Sequence, residues 1–212
     1  MAREIERKFE ARPDDYWRVV RLLCERHAFR LLVSPSVARI HTYFDTRTKM
    51  FVKSSIGARL RRVTAPREWS RYDLKWRGSN GHTQELQFKG QTNLAVGEAL
   101  AILQEKLARV HDAYANELSQ LLKCQLIISL ELKGVHYKAN ATRRHIKIEV
   151  SLDEMRRGKR GKGFTELELE LKEGRVEEFD KVVSAVAATL KLREVPRGIS
   201  KYARALRAAP AC

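Results

Sequence analysis

The sequence predicts an α+β protein in which roughly eight antiparallel strands form the frame and amphipathic helices cover one side of it. Three observations lead there. Period-two alternation recurs along the chain and is clearest in two stretches. In RRHIKIEVSLD, Ile146, Ile148, Val150 and Leu152 alternate with Arg143, His145, Lys147, Glu149, Ser151 and Asp153. In TELELELK, Leu167, Leu169 and Leu171 alternate with Glu166, Glu168, Glu170 and Lys172. Glycine-containing turns at 78–81 and 158–163 are short enough to join strands as hairpins. Stripes of apolar residues at helical spacing appear between strand runs rather than within them.

Taken in order, a strand over 3–9 opens the chain (REIERKF), followed by a helix over 13–29. Pro13, Asp14 and Asp15 form a good helix entry, and Trp17, Val20 and Cys24 fall at helical spacing, with Trp17 read as core. Strands follow at 38–45 (ARIHTYFD), 58–63 (ARLRRV), 70–76 (SRYDLKW) and 83–89 (TQELQFK). The stretch 94–123 has no internal proline and reads as one or two helices inserted between strands. Further strands are expected at 126–133, 143–153 and 165–172. A last helix over 174–192 places Val176, Phe179, Val183, Val186 and Leu190 on one stripe, and the tail after Leu206 is expected to fray.

A chain of 212 residues suits one domain, 1–212, carrying the helical insertion at 94–123. No apolar run approaches the roughly 20 residues that span a bilayer, and the first residues lack the apolar core of a secretion signal, so a cytoplasmic address is expected. Cys24, Cys124 and Cys212 are few, distant and odd in number, which argues against a disulfide framework or a zinc site. The formal net charge of +16 should attract polyanions. It admits nucleic acid, polyphosphate, nucleotides or an acidic membrane surface without choosing among them. RRGKRGKG at 156–163 lacks the spacing of a P-loop and precedes a strand instead of a helix, so it reads as a basic hairpin.

The strand faces opposite the apolar ones are densely charged, with mixed sign. In an open sheet such a face is solvated; in a closed barrel it lines a wet interior. Alternation alone favours the open sheet. The charged residues fall into two sets. Lys8, Arg59, Arg61, Lys75, Arg143, Lys147 and Lys201 are cations on or beside strands, and Glu4, Glu6, Glu149, Asp153, Glu166, Glu168 and Glu170 are acids. Arginine and lysine neutralise phosphate oxygens, while carboxylates hold hard divalent cations that bridge them, so the mixture suits phosphoryl transfer on a phosphate chain. Two glutamates one residue apart project on the same side of a strand, about 6.5–7 Å apart, within reach of one metal cluster. Taken alone, Glu4, Glu6 and Lys8 would be an edge strand blunted by charge.

Six motifs in order resemble those of the CYTH superfamily, the triphosphate tunnel metalloenzymes. EIERKF matches the Glu-x-Glu-x-Lys signature, TYFDT its Tyr-Tyr/Phe-Asp-Thr strand end, and ARLRRV its Arg-x-Arg pair, with DLKW supplying the following lysine. TRRHIKIEVSLDE resembles the strand that carries a tunnel arginine and ends in Asp, TELELELKEG the repeated-Glu strand, and SKYARAL the closing Ser-Lys segment. The matches run from residue 4 to residue 206. The resemblance implies an eight-stranded antiparallel tunnel barrel with a charged interior and helices outside.

It also implies a divalent-metal-dependent triphosphatase acting on inorganic triphosphate or a small organic triphosphate, with Mg²⁺ or Mn²⁺. By position, Glu4, Glu6, Glu166, Glu168 and Asp153 become the metal side. Lys8, Arg59, Arg61, Lys75, Arg143 and Lys201 hold the triphosphate, Glu85 sits on the tunnel wall, and Glu6, Lys8 and Glu168 are the catalytic residues. Gln87 and Ser151 stand where many or some relatives have acids, each removing a negative charge. Adenylyl cyclase-like chemistry, polyphosphate polymerisation, or a non-catalytic module for polyphosphate or nucleic acid are the alternatives. Family members are often dimeric.

Overall fold

The computed structural model describes residues 5–64, 68–77, 83–90, 98, 101, 102, 105, 108, 118–120, 123–158, 163–196 and 201–208. The elements in chain order are β1 (Ile5–Glu10), α1 (Asp15–His27), β2 (Arg30–Thr46), α2 (Met50–Lys53), β3 (Gly57–Val63), β4 (Trp69–Arg77) and β5 (Thr83–Gly90). There follow β6 (Leu126–Arg143), β7 (Ile146–Arg156), β8 (Gly163–Glu173), α3 (Val176–Leu190), β9 (Arg193–Glu194) and α4 (Lys201–Ala208). Within the expected insertion Glu98, Ala101, Ile102, Glu105, Ala108 and Leu118–Gln120 are helical and Lys123 is in a turn; its other positions lie outside the described residues.

Among the described residues nine strands follow one another in the hydrogen-bonded order β5-β4-β3-β2-β6-β7-β8-β1-β9, with no hydrogen bonds joining the two ends of that order. The pairings β1–β8, β1–β9, β2–β3, β3–β4, β4–β5 and β7–β8 are all antiparallel. The α+β, antiparallel frame is therefore as the alternation predicts. The ninth strand is the two-residue β9, which pairs Phe9 with Glu194 and Glu10 with Arg193 and is too short to show a period. Strand β6 is 18 residues long and runs well past the expected end at Lys133.

By backbone contacts the chain divides into two compact units. The first comprises 1–38, 134–156 and 161–199; the second comprises 39–133, 157–160 and 200–212.

In the first unit the apolar faces of β7 and β8 meet α1 and α3. Ile148, Val150, Leu152, Leu167 and Leu169 are fully buried, together with Phe9, Val19, Leu23, Phe179, Val183 and Val186. Alternation explains the choice, because every second side chain of a strand points to one side. The buried arc of α1 runs through Tyr16, Val19, Val20 and Leu23. Trp17, expected in the core, is 50% exposed, and Cys24 is exposed too. The α1 stripe is rotated by about one residue: at 100° per residue Tyr16, Val19 and Leu23 lie to one side of Val20, and Trp17 and Cys24 lie to the other. Gly134 lies so close to β7 that a Cβ there would stand 1.8 Å from the Glu154 carbonyl oxygen.

In the second unit, Phe44, Phe51, Ile56, Ala58, Tyr72, Leu74, Trp76 and Leu118 form a separate core with Leu60, Leu86, Ile102 and Leu126 at its margin. The even positions of β3, β4 and β5 supply most of it, which leaves the odd positions to the opposite side. Among the described residues no helix is long and apolar enough to cross a membrane.

Phe179 is fully enclosed between α3 and the sheet. Phe179→Ala should lower unfolding free energy by about 3–5 kcal/mol, measured by urea denaturation, because the cavity adds to the lost transfer term.

Candidate functional site

The odd positions of β2 to β5 bring the cations of the second unit together. Across the ladders Tyr43 faces Arg59, which faces Asp73; His41 faces Arg61, which faces Arg71; and Lys75 faces Glu85. Three guanidinium groups converge on the buried Asp73. Arg59 donates from Nε at 3.0 Å and Nη2 at 2.7 Å to Oδ2, Arg61 Nη2 lies 3.1 Å from the same oxygen, and Arg71 Nε lies 2.8 Å from Oδ1. Burial pushes the Asp73 carboxyl up, but Arg59, Arg61 and Arg71 together outweigh it and hold the group below its usual range. Burial, then repulsion from Arg59, with Arg71 and Arg39 adding to it against the attraction of Asp73, brings Arg61 down to about 10. The face therefore carries more positive charge than its own carboxylate neutralises.

Of the expected phosphate-binding residues, Arg59, Arg61 and Lys75 lie in this array, and Lys75 also pairs with Glu85 at 3.4 Å. Arg71 was not anticipated as a site residue. Its signal was present: it stands two residues before Asp73 and so shares its side of β4.

Lys201 is the first residue of α4, and α4 is held by its neighbour Tyr202. The Tyr202 hydroxyl donates to Asp45 Oδ2 at 3.0 Å and bonds Ser129 Oγ, while its ring stacks on Tyr43 at 5.1 Å and 10°. Asp45, from the TYFDT stretch, also accepts the backbone N–H groups of Thr46 at 2.7 Å, Phe51 at 2.9 Å and Val52 at 3.3 Å. Burial raises the Tyr202 phenol, and the nearby Asp45 carboxylate adds to the rise, so it stays a proton donor. The TYFDT strand end thus serves as an anchor for α2 and α4.

The acids gather in the first unit. On the side of the ladder opposite the helices, Lys8 faces Glu168 and Glu168 faces Ser151; Glu6 faces Glu170 and Glu170 faces Glu149; Glu10 faces Glu166 and Glu166 faces Asp153. Lys8 Nζ pairs with Glu6 and lies 3.4 Å from Glu168. Asp153 lies 2.7 Å from Nδ1 of His136, with both residues buried and Glu166 fully buried opposite Asp153. Lys138 pairs with Glu149. His136 and Lys138 were missed because the strand reading stopped at Lys133, before Gly134, where the missing side chain hides the alternation.

Glu4 lies outside the described residues. Arg143 does not join the acids or the arginine array. It ends β6 on the side of the buried Ala139 and Ala141, where it donates to Glu178 Oε1 at 2.8 Å and to the His27 carbonyl at 3.0 Å and stacks over Phe29 at 4.7 Å. The sequence reading joined Arg143 to the following strand. A turn with Arg144 at φ 49° separates them, so Arg143 keeps the alternation phase of β6.

The donor set of Glu6, Glu168, Glu166 and Asp153 offers hard carboxylate oxygens on three strands, which fits Mg²⁺ or Mn²⁺ by chemistry. Lys8 already lies between Glu6 and Glu168 as a cation. Among the described residues no group of three or more His, Cys, Asp or Glu side chains converges as metal ligands.

No protein-family model matches the chain, and no curated protein matches it. Solved structures do match. Two carry the description "putative adenylate cyclase". The one from Bacillus halodurans is 22% identical, covers 95% of this chain and 96% of its own, and has a TM-score of 0.55. The one from Vibrio parahaemolyticus is 12% identical over 98% and 99% of the two chains, with a TM-score of 0.53. A third, from Hippeastrum, is described in the same way with a dominant triphosphatase activity; it is 14% identical over 98% and 97%, with a TM-score of 0.58. The chain shares its fold with these solved structures, the fold that the resemblance of its motifs to the CYTH superfamily implies.

Tyr202→Phe keeps the stacked ring and removes the donor to Asp45. It should cost about 1–3 kcal/mol in urea denaturation, because a buried carboxylate loses a partner. Asp73 has a depressed folded value, so its contribution to stability is complete above its unfolded value of about 4 and is lost as pH falls through the lower folded value. Unfolding midpoints measured between neutral and strongly acid pH should fall less steeply in Asp73→Asn than in the wild type.

Proposed function

We propose that this chain hydrolyses a triphosphate, inorganic or carried by a small organic molecule, with Mg²⁺ or Mn²⁺ as cofactor. The observation that carries the reading is the surplus of guanidinium groups around Asp73. Arg59, Arg61 and Arg71 present planar, permanently charged donors, which suit the closely spaced oxygens of a phosphate chain. The separate carboxylate face supports it by chemistry, and so does the likeness in fold to the Hippeastrum protein described with triphosphatase activity.

In this reading Arg59, Arg61, Arg71, Lys75 and Lys201 bind the phosphate oxygens and orient the chain. On the first unit Glu6, Glu166, Glu168 and Asp153, with Glu4, would hold the divalent cation, which would supply charge neutralisation and Lewis acidity. Water attacks the terminal phosphorus in line; the new phosphorus–oxygen bond forms as the bond to the bridging oxygen breaks, and the water's proton passes to bulk solvent. The guanidinium groups stabilise the charge that accumulates on the leaving diphosphate. Lys8, held between Glu6 and Glu168, positions those carboxylates. Arg143, committed to Glu178, takes no part.

Phosphate release from inorganic triphosphate, ATP, thiamine triphosphate and long-chain polyphosphate, with and without each metal, tests the proposal. Metal-dependent release from a triphosphate is expected, and Glu168→Gln should reduce it roughly 100-fold or more. Absence of release from every substrate would refute hydrolysis; cyclic AMP formed from ATP would redirect the reading to a cyclase, and metal-free, steeply salt-dependent binding without turnover to a binding module.

A further inference from the structure

The arginine array has an anion inside it already. We propose that Asp73 is a built-in counter-anion, occupying in the free protein the place that phosphate oxygens take on binding, and that it thereby sets the affinity and the selectivity of the array. The inference rests on the reading of this face as the phosphate-binding one.

Three features of the geometry support it. Asp73 Oδ2 accepts two hydrogen bonds from Arg59 and lies 3.1 Å from Arg61 Nη2, while Oδ1 lies 2.8 Å from Arg71 Nε as an ion pair without hydrogen-bond geometry. One carboxylate thus stands among three guanidinium groups and does not saturate their donors. Asp73 is 2% exposed, so these cations, and not water, solvate its charge. Its position is also central. It lies on the polar side of β4 between Arg71 and Lys75 and is paired across the ladders with Arg59 and Gln87, so no acid stands opposite it.

The energetics follow from competition. Without an anion, three like charges in a low-dielectric face repel one another, and the depressed proton affinity of Arg61 reflects burial and that repulsion. One carboxylate relieves part of it. An incoming anion gains the guanidinium bonds only by displacing Asp73 or sharing donors with it. A single phosphate offers few oxygens against that competitor, whereas a triphosphate offers many and can engage the array while Asp73 retreats. The carboxylate thus discriminates against short anions.

A purely structural role makes the opposite forecast. If Asp73 only holds the arginines in place, removing its charge loosens them and weakens anion binding. Calorimetric titration of the full chain with inorganic triphosphate and with orthophosphate, without divalent metal, separates the two. Competition predicts that Asp73→Asn binds triphosphate about tenfold more tightly. It also predicts a larger proportional gain for orthophosphate, so that selectivity between the two falls. Unchanged or weaker triphosphate affinity in a folded variant overturns the inference. Thermal unfolding with and without triphosphate covers loss of folding: recovery of the folded state of Asp73→Asn or Asp73→Thr by the anion supports it. Failure of both variants to fold even with triphosphate makes Asp73 structural and overturns it. If the wild type binds triphosphate and the variant gains nothing, this inference alone fails; if the wild type binds no triphosphate, the proposed function fails with it.

Discussion

Ionised side chains that share one side of a β-ladder have to be neutralised within that side, because the other side is committed to the core. That constraint organises both units of this chain. In the first, Ile148, Val150, Leu152, Leu167 and Leu169 take the helix-facing positions, and the residues between them are left to pair with one another: Lys8 with Glu6 and Glu168, Lys138 with Glu149, and His136 with Asp153. In the second, the aromatic core of Tyr72, Leu74 and Trp76 leaves Arg71, Asp73 and Lys75 on the far side. The pairings are solutions to a local charge problem, and the same solutions create the groups that chemistry can use.

The two sides solve it differently. Several acids of the first unit are interleaved with lysines: Lys8 lies beside Glu6 and Glu168, and Lys138 and Lys172 lie beside Glu149. Arg59, Arg61 and Arg71 of the second unit share a single buried acid, which leaves cationic charge in excess where the dielectric is low. Lysine pairs are adjustable, since a flexible ammonium can give way; arginine forks bind a planar or multidentate anion with less reorganisation. The distribution of lysine and arginine between the two sides therefore carries functional information beyond the net charge of +16.

Much of this was legible in the sequence, and the failures have a common cause. Alternation identified the apolar side of β7 and β8 and placed Glu166, Glu168, Asp153, Arg59, Arg61 and Lys75 on polar sides. It failed where its phase was broken. Gly134 has no side chain, so the period in β6 seemed to stop there, and His136 and Lys138 went unread. The turn at Arg144 reset the phase, and Arg143 was carried to the wrong side of the sheet. In α1 the error was one residue of rotation: Tyr16 is buried and Trp17 is half exposed. The role of Asp73 could not be read from period alone, because its meaning depends on which residues stand opposite it in two ladders, and register is a long-range property.

The anchor at Asp45 has a consequence for how the chain reaches this structure. The carboxylate can be satisfied early by the amides of Thr46, Phe51 and Val52, all within a few positions of it, whereas its bond to Tyr202 closes a span of 157 positions. Local contacts form on far shorter timescales than the closure of so long a loop, whose entropy has to be met before the contact returns anything. Docking of α4 therefore belongs to the end of folding, and with it the placement of Lys201. An intermediate can bury both hydrophobic clusters and still lack a docked α4.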